Sequence, residues 1–93
     1  MRTSRYSVPG VILMYVKDAV VARFEEIMKE RKLCVNALAG SAGVTPSTVY
    51  SMMDSRRREL SISTIKKLCD GLEISLADFF SATVFDELEQ EIR

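Results

Sequence analysis

The side chains able to do chemistry in this 93-residue chain gather in its middle. Thr45, Ser47, Thr48, Tyr50 and Ser51 bring hydroxyl groups close together, and the run Arg56-Arg57-Arg58 follows. Hydroxyls both donate and accept hydrogen bonds, and guanidinium groups hold anions, so the set suits noncovalent recognition of a polyanion. Covalent catalysis is poorly served, because the chain has no histidine, no phosphate-binding glycine loop and no credible nucleophile-base pair. Zinc is excluded on the same composition, since Cys34 and Cys69 are the only His/Cys ligands and the carboxylates have no metal-ligating spacing. No catalytic residue, metal site or cofactor is read from the sequence, and the chain is not read as an enzyme.

Charge sharpens this picture. The formal net charge is +0, but residues 1–45 carry +3, residues 46–69 carry +3 and residues 70–93 carry −6. A basic body and an acidic tail are hidden inside a neutral total, and an approaching polyanion responds to the local potential. Hydrophobic residues make up 47%, the level of a soluble globular chain of one domain. The longest apolar run, Val11 to Val16, is too short for a membrane span and lacks a signal-peptide cleavage site. The two cysteines read as reduced, core-type residues of a cytoplasmic protein, with a disulfide as the alternative.

Helical periodicity accounts for the elements that must position the central residues. Residues 1–16 read as an N-terminal extension: a polar, basic lead-in closed by Pro9-Gly10, then VILMYV, either a short strand or the first turn of the next helix. This run calls for cover, from the same chain or a second copy. From Asp18 to Arg31, Val20, Val21, Phe24, Ile27 and Met28 form one stripe, with Arg23, Glu25, Glu26, Lys29, Glu30 and Lys32 on the solvent side. A second helix opens near Asn36 and turns Leu38, Ala39 and Ala42 inward, where small side chains let another helix cross closely. Gly40 in its interior costs about 1 kcal/mol relative to alanine. Gly43 supplies a residue fit for positive φ, Val44 returns to the core, Thr45 caps and Pro46 starts a third helix running to about Asp54. Val49 and Met52 face inward on it, while Ser47, Thr48, Tyr50, Ser51 and Met53 lie on or near the open side.

Asp54 to Leu60 reads as a charged loop. Ser61 or Ser63 caps a fourth helix with a stripe of Ile62, Ile65, Leu68, Cys69 and Leu72, and Gly71 lies near its end. Ser75 opens a short fifth helix containing Leu76, Phe79 and Phe80. Val84, Phe85, Leu88 and Ile92 predict a sixth, acidic amphipathic helix over 83–92, suited to capping the bundle or to a dimer contact. Residues 17–81 thus read as the domain proper and 82–93 as an acidic tail.

The ordered set of L-x-x-x-x-L-A-x-x-A-G-V-T-P-S-T-V at Leu33 to Val49, S-I-S-T-I-K-K-L-C-D-G-L at Ser61 to Leu72, and I-S-L-A-D-F-F at Ile74 to Phe80 resembles the Cro/repressor-type (lambda-repressor-like, XRE-type) helix-turn-helix family. The resemblance implies an all-α, compact five-helix bundle that binds specific sequences of double-stranded DNA, usually as a homodimer on a palindromic operator. By position in the motif it implies base reading by Ser47, Thr48, Tyr50 and Ser51, and phosphate contacts by Asn36, Thr45, Arg56, Arg57, Arg58 and Lys66. Elementary physics agrees: a helix with small polar side chains on its open face fits the major groove, and Ser and Thr hydroxyls meet either kind of base edge. An arginine run taken alone reads as a solvated loop; its place just past such a helix favours phosphate contact. Where many relatives open the second helix with a phosphate-anchoring glutamine, this chain has Val35, leaving Cys34 or Asn36 to substitute. That departure and the apolar N-terminal run motivate an alternative, a protein-interaction module such as an antitoxin or anti-repressor that retains the fold. Operator and effector are not legible.

Overall fold

A computed structural model describes residues 14–90. The order is α1 (Val16–Arg31), α2 (Val35–Ala42), α3 (Pro46–Met53), α4 (Ile62–Leu72) and α5 (Leu76–Phe80), followed by a 3₁₀ turn at Thr83–Glu87. No strand occurs among the described residues. Met14 and Tyr15 are irregular and Val16 already belongs to α1, so the end of the apolar run is the first turn of the helix; Val11 to Leu13 lie outside the described residues.

Side-chain caps set four of the starts. Asp18 Oδ2 accepts the Tyr15 N–H at 3.0 Å, which carries α1 back to Val16. Thr45 Oγ1 accepts from Thr48 N–H at 3.3 Å, Ser61 Oγ from Ser63 N–H at 3.1 Å, and Ser75 Oγ from Asp78 N–H at 3.0 Å. Pro46 occupies the first position of α3, where its missing N–H costs nothing. Three helices end by one device. Lys32 (φ 57), Gly43 (φ 70) and Glu73 (φ 59) adopt the left-handed conformation, and the next residue, Leu33, Val44 or Ile74, bonds back to the preceding turn and packs on the core.

The largest fully buried side chains among the described residues are Phe24, Phe79, Leu38, Leu68, Val20, Val49 and Cys69, drawn from all five helices. Phe79 lies 4.4 Å from Phe24 between ring centroids, and Phe85 of the 3₁₀ turn reaches Phe80 at 4.9 Å. The most extensive pairing is α2 on α4. Their close approach is at Gly71, where an added Cβ would stand 2.8 Å from the backbone N of Ala42 and the backbone C of Ser41. The helix for which α2 supplies small residues is therefore α4.

Cations of α1 secure the ends of three other helices. Lys17 Nζ donates to the carbonyl oxygens of Asp54, at 2.9 Å, and of Arg57. Arg23 donates to the carbonyls of Phe79 at 2.9 Å and Asp78 at 3.1 Å, and Arg31 to that of Leu72 at 2.6 Å. Carbonyls at a helix C-terminus have no partner within the helix and carry negative potential, so these contacts satisfy both needs.

Four sequence expectations need correction. Arg23 is not on the solvent side, because the end of α5 comes to it. Ile62 is 60% exposed; with Val16, Val20, Ile65 and Phe80 it lines an open groove of about 360 Å³ that Lys17, Arg58 and Glu59 also border. Cys34 is exposed just before α2 and only Cys69 is core-type; both are free thiols, and burial pushes the Cys69 thiol up. Where an amphipathic helix over 83–92 is expected, residues 83–90 form a 3₁₀ turn followed by irregular chain, and residues 91 and 92 lie outside the described residues. Docking Phe85 on Phe79 and Phe80 holds the turn, and the Glu89 N–H then pairs with the Met14 carbonyl at 2.8 Å instead of continuing a helix.

Candidate nucleic-acid interface

Gly43 sets the angle between α2 and α3. Its N–H bonds to the Gly40 carbonyl at 3.3 Å and that of Val44 to the Ala39 carbonyl at 3.1 Å, which closes α2 and returns the chain to the core within two residues. Val49, fully buried, and Met52, 4% exposed, anchor α3 by one face. The opposite face is left open, with Ser47, Tyr50 and Ser51 exposed; Tyr50 is 60% exposed. Thr48 is half-buried, and its hydroxyl lies 3.0 Å from that of Thr45, which is also 3.0 Å from the Ser47 hydroxyl. Thr45 is thus spent chiefly on capping and orienting the first turn of α3. Met53, expected near the open side, is half-buried against the core.

An open cleft of about 300 Å³ runs between α3, the loop after it and the start of α4. Ser47, Thr48, Ser51, Ser61 and Thr64 contribute hydroxyls to its polar lining, Arg57 a guanidinium and Glu59 a carboxylate. Of the four residues expected to read bases, three meet in this cleft; Tyr50 stands on the exposed face one turn from Ser47. Ser61 and Thr64 were not among the expected site residues, and Ser61 gave only a capping signal, which it does fulfil.

The three arginines differ. Arg56 is exposed and forms a two-pronged pair with Asp54, Nε to Oδ1 at 3.0 Å and Nη2 to Oδ2 at 2.9 Å. The Arg56 guanidinium, helped by its backbone N–H, holds the Asp54 carboxyl down to about 2, and Asp54 in turn raises Arg56. Arg58 pairs with Asp18 at 2.8 Å and donates to the Ser55 carbonyl at 2.9 Å; this pair lowers Asp18. Among the described residues the Arg57 side chain has no hydrogen-bond or ion-pair partner, and it lines the cleft. Of the remaining expected phosphate contacts, Asn36 is exposed in the first turn of α2, and Lys66 is exposed on α4 with its ammonium 2.5 Å from Asp70. Neither lines the cleft.

A short helix, a glycine turn and a second, capped helix with one open face constitute a helix-turn-helix unit. A family profile described as the Cro/C1-type HTH DNA-binding domain matches residues 23–84. The crystal structure of the prophage Lp1 protein 11 superposes with a TM-score of 0.70 at 31% identity, over 83% of this chain and 100% of that one. No curated protein matches. The chain therefore belongs to the Cro/C1-type helix-turn-helix DNA-binding domain family. No helix among the described residues is long and apolar enough to cross a membrane, and no cluster of three or more potential metal ligands occurs among them.

Proposed function

We propose that this protein is a sequence-specific transcriptional regulator of the repressor type, a cytoplasmic homodimer that occupies a palindromic operator in double-stranded DNA. In this reading α3 enters the major groove. Ser47, Ser51 and Thr48 hydrogen-bond base edges there, and the Tyr50 ring packs on thymine methyls. The observation that carries it is the sharing of one cleft by the open face of α3 and the unpaired Arg57 side chain. Base edges and a phosphate oxygen lie side by side along a groove, and this cleft brings hydroxyls and a guanidinium together, with the Glu59 carboxylate also on its lining. Asn36, Thr45, Arg56, Arg58 and Lys66 are assigned phosphate contacts by position in the motif. Homodimerisation, the operator symmetry and the sign of regulation follow from the habits of the family.

Selection of sites from a random duplex pool, with the salt dependence measured on the winner, tests the proposal. Arg57→Ala weakens binding to all sequences and reduces the salt slope by about one. Ser51→Ala alters preference at one base pair by about 1–3 kcal/mol. Binding to the selected site unchanged in both variants refutes the assignment of this surface. A stoichiometric protein partner on purification, with no retention on any DNA at low salt, establishes the interaction-module alternative instead.

A further inference from the structure

We infer that the first turn of α1 is a positioning device for the loop between α3 and α4, with Lys17 holding the backbone from which Arg57 projects. The inference rests on the DNA-binding reading above and deepens it.

Lys17 is 3% exposed, the only buried charged residue among those described. A buried ammonium is costly unless its donors are satisfied. Here they are aimed at the carbonyls of Asp54, which closes α3, and of Arg57 itself, across sequence separations of 37 and 40 residues. The neighbouring Asp18 takes Arg58 at 2.8 Å while its other role is to accept the Tyr15 N–H. Two consecutive residues of α1 therefore grip the loop at both sides of Arg57.

The loop has little else to define it. Residues 54–61 have no regular structure, and residues 55–59 are exposed. Its internal ties are short-range: Arg57 N–H to the Asp54 carbonyl at 3.0 Å, Arg56 N–H to Asp54 Oδ1 at 2.9 Å, and Arg58 to the Ser55 carbonyl at 2.9 Å. These tie the turn to Asp54 at the end of α3 but do not tie it to the rest of the bundle. Lys17 and Asp18 supply that tie, and Leu60, half-buried, supplies the exit. A guanidinium presented by a fixed backbone meets a phosphate without first ordering the loop, so the grip raises affinity through preorganisation.

Lys17→Met keeps an unbranched apolar stem, one atom shorter, and removes the donors. Arg31→Met removes a comparable cation-to-carbonyl contact from the end of α4, away from the cleft, and serves as the comparison. Both variants are expected to melt lower than the parent. Measured where each is folded, Lys17→Met binds the selected duplex at least tenfold more weakly with a salt slope smaller by about one, whereas Arg31→Met keeps the parental slope and affinity. Amide hydrogen exchange, read without DNA, is faster at Arg57 in Lys17→Met and unchanged there in Arg31→Met. If Lys17→Met does not fold, Asp18→Asn, which keeps an acceptor for Tyr15 but releases the charge pair with Arg58, is expected to show the same two changes in smaller measure. Parental exchange at Arg57, or a parental slope and affinity, in the folded variant overturns the inference. Failure of the parent protein to bind any duplex refutes the DNA-binding reading, and the exchange measurement still decides whether α1 holds the loop.

Discussion

Replacing Gly71 by alanine should destabilise the protein even though alanine is the better helix former. Gly71 is the penultimate residue of α4, so the substitution returns at most about 1 kcal/mol of helix propensity. Against this stands the crossing with α2. The new Cβ would lie 2.8 Å from Ala42 N and Ser41 C and 2.9 Å from Ala42 Cα, whereas ordinary contact begins at 3.4 Å. All three atoms are backbone, so no side chain can swing aside; α2 as a whole must retreat by about 0.6 Å or bend. Overpacking of this kind costs about 1–3 kcal/mol, and rigid backbone places it at the upper end. The net loss is then about 1–2 kcal/mol, which lowers the melting temperature of a domain this size by about 4–16 °C. Gly40→Ala is the internal control, because nothing lies within 4 Å of its added Cβ. There the propensity gain of about 1 kcal/mol is unopposed and the melting temperature should rise by about 4–8 °C. Thermal unfolding followed by circular dichroism reads both variants. A Gly71→Ala melting temperature at or above that of the parent would falsify the close-crossing argument.

Two further outcomes follow from the site. Because Arg56 depresses Asp54, their pair is intact at neutral pH and is lost as pH falls from the ordinary 3.8 through about 2; a carboxyl carbon NMR titration should show that low midpoint, and Arg56→Gln should move it up toward 3.8. An unchanged midpoint in the variant would remove Arg56 as the cause. Thr45→Ala should cost about 1 kcal/mol by removing the α3 cap, and Thr45→Asp should restore it. If Thr45 also lies beside a phosphate, Thr45→Asp binds DNA worse than Thr45→Ala despite its greater stability, and the reverse order in a titration against duplex would exclude that contact.

Local signals in this chain were legible because they act within a few residues. Thr45-Pro46 starts α3, Gly43 ends α2, Ser61 and Ser75 open α4 and α5, and each does so by bonds that span no more than five positions. Lys32 and Glu73 escaped this logic. Neither is a glycine, yet both take a left-handed conformation because burying Leu33 and Ile74 just beyond them outweighs the local strain. Periodicity likewise named the inward faces but failed at Ile62 and over 83–90, where the question is whether another element reaches that face at all.

What the sequence determined by itself, then, was the order of helices, the glycine turn and the open face of α3, since capping, helical repeat and turn chemistry are properties of short segments. Tertiary structure alone decided that Arg58 is paired with Asp18, why Gly71 is a glycine, and that Lys17 is buried. Each of these depends on residues 29 to 40 positions apart meeting in space. Carbonyls exposed at helix ends attract whichever cation the packing brings near, and no local pattern records which one that will be.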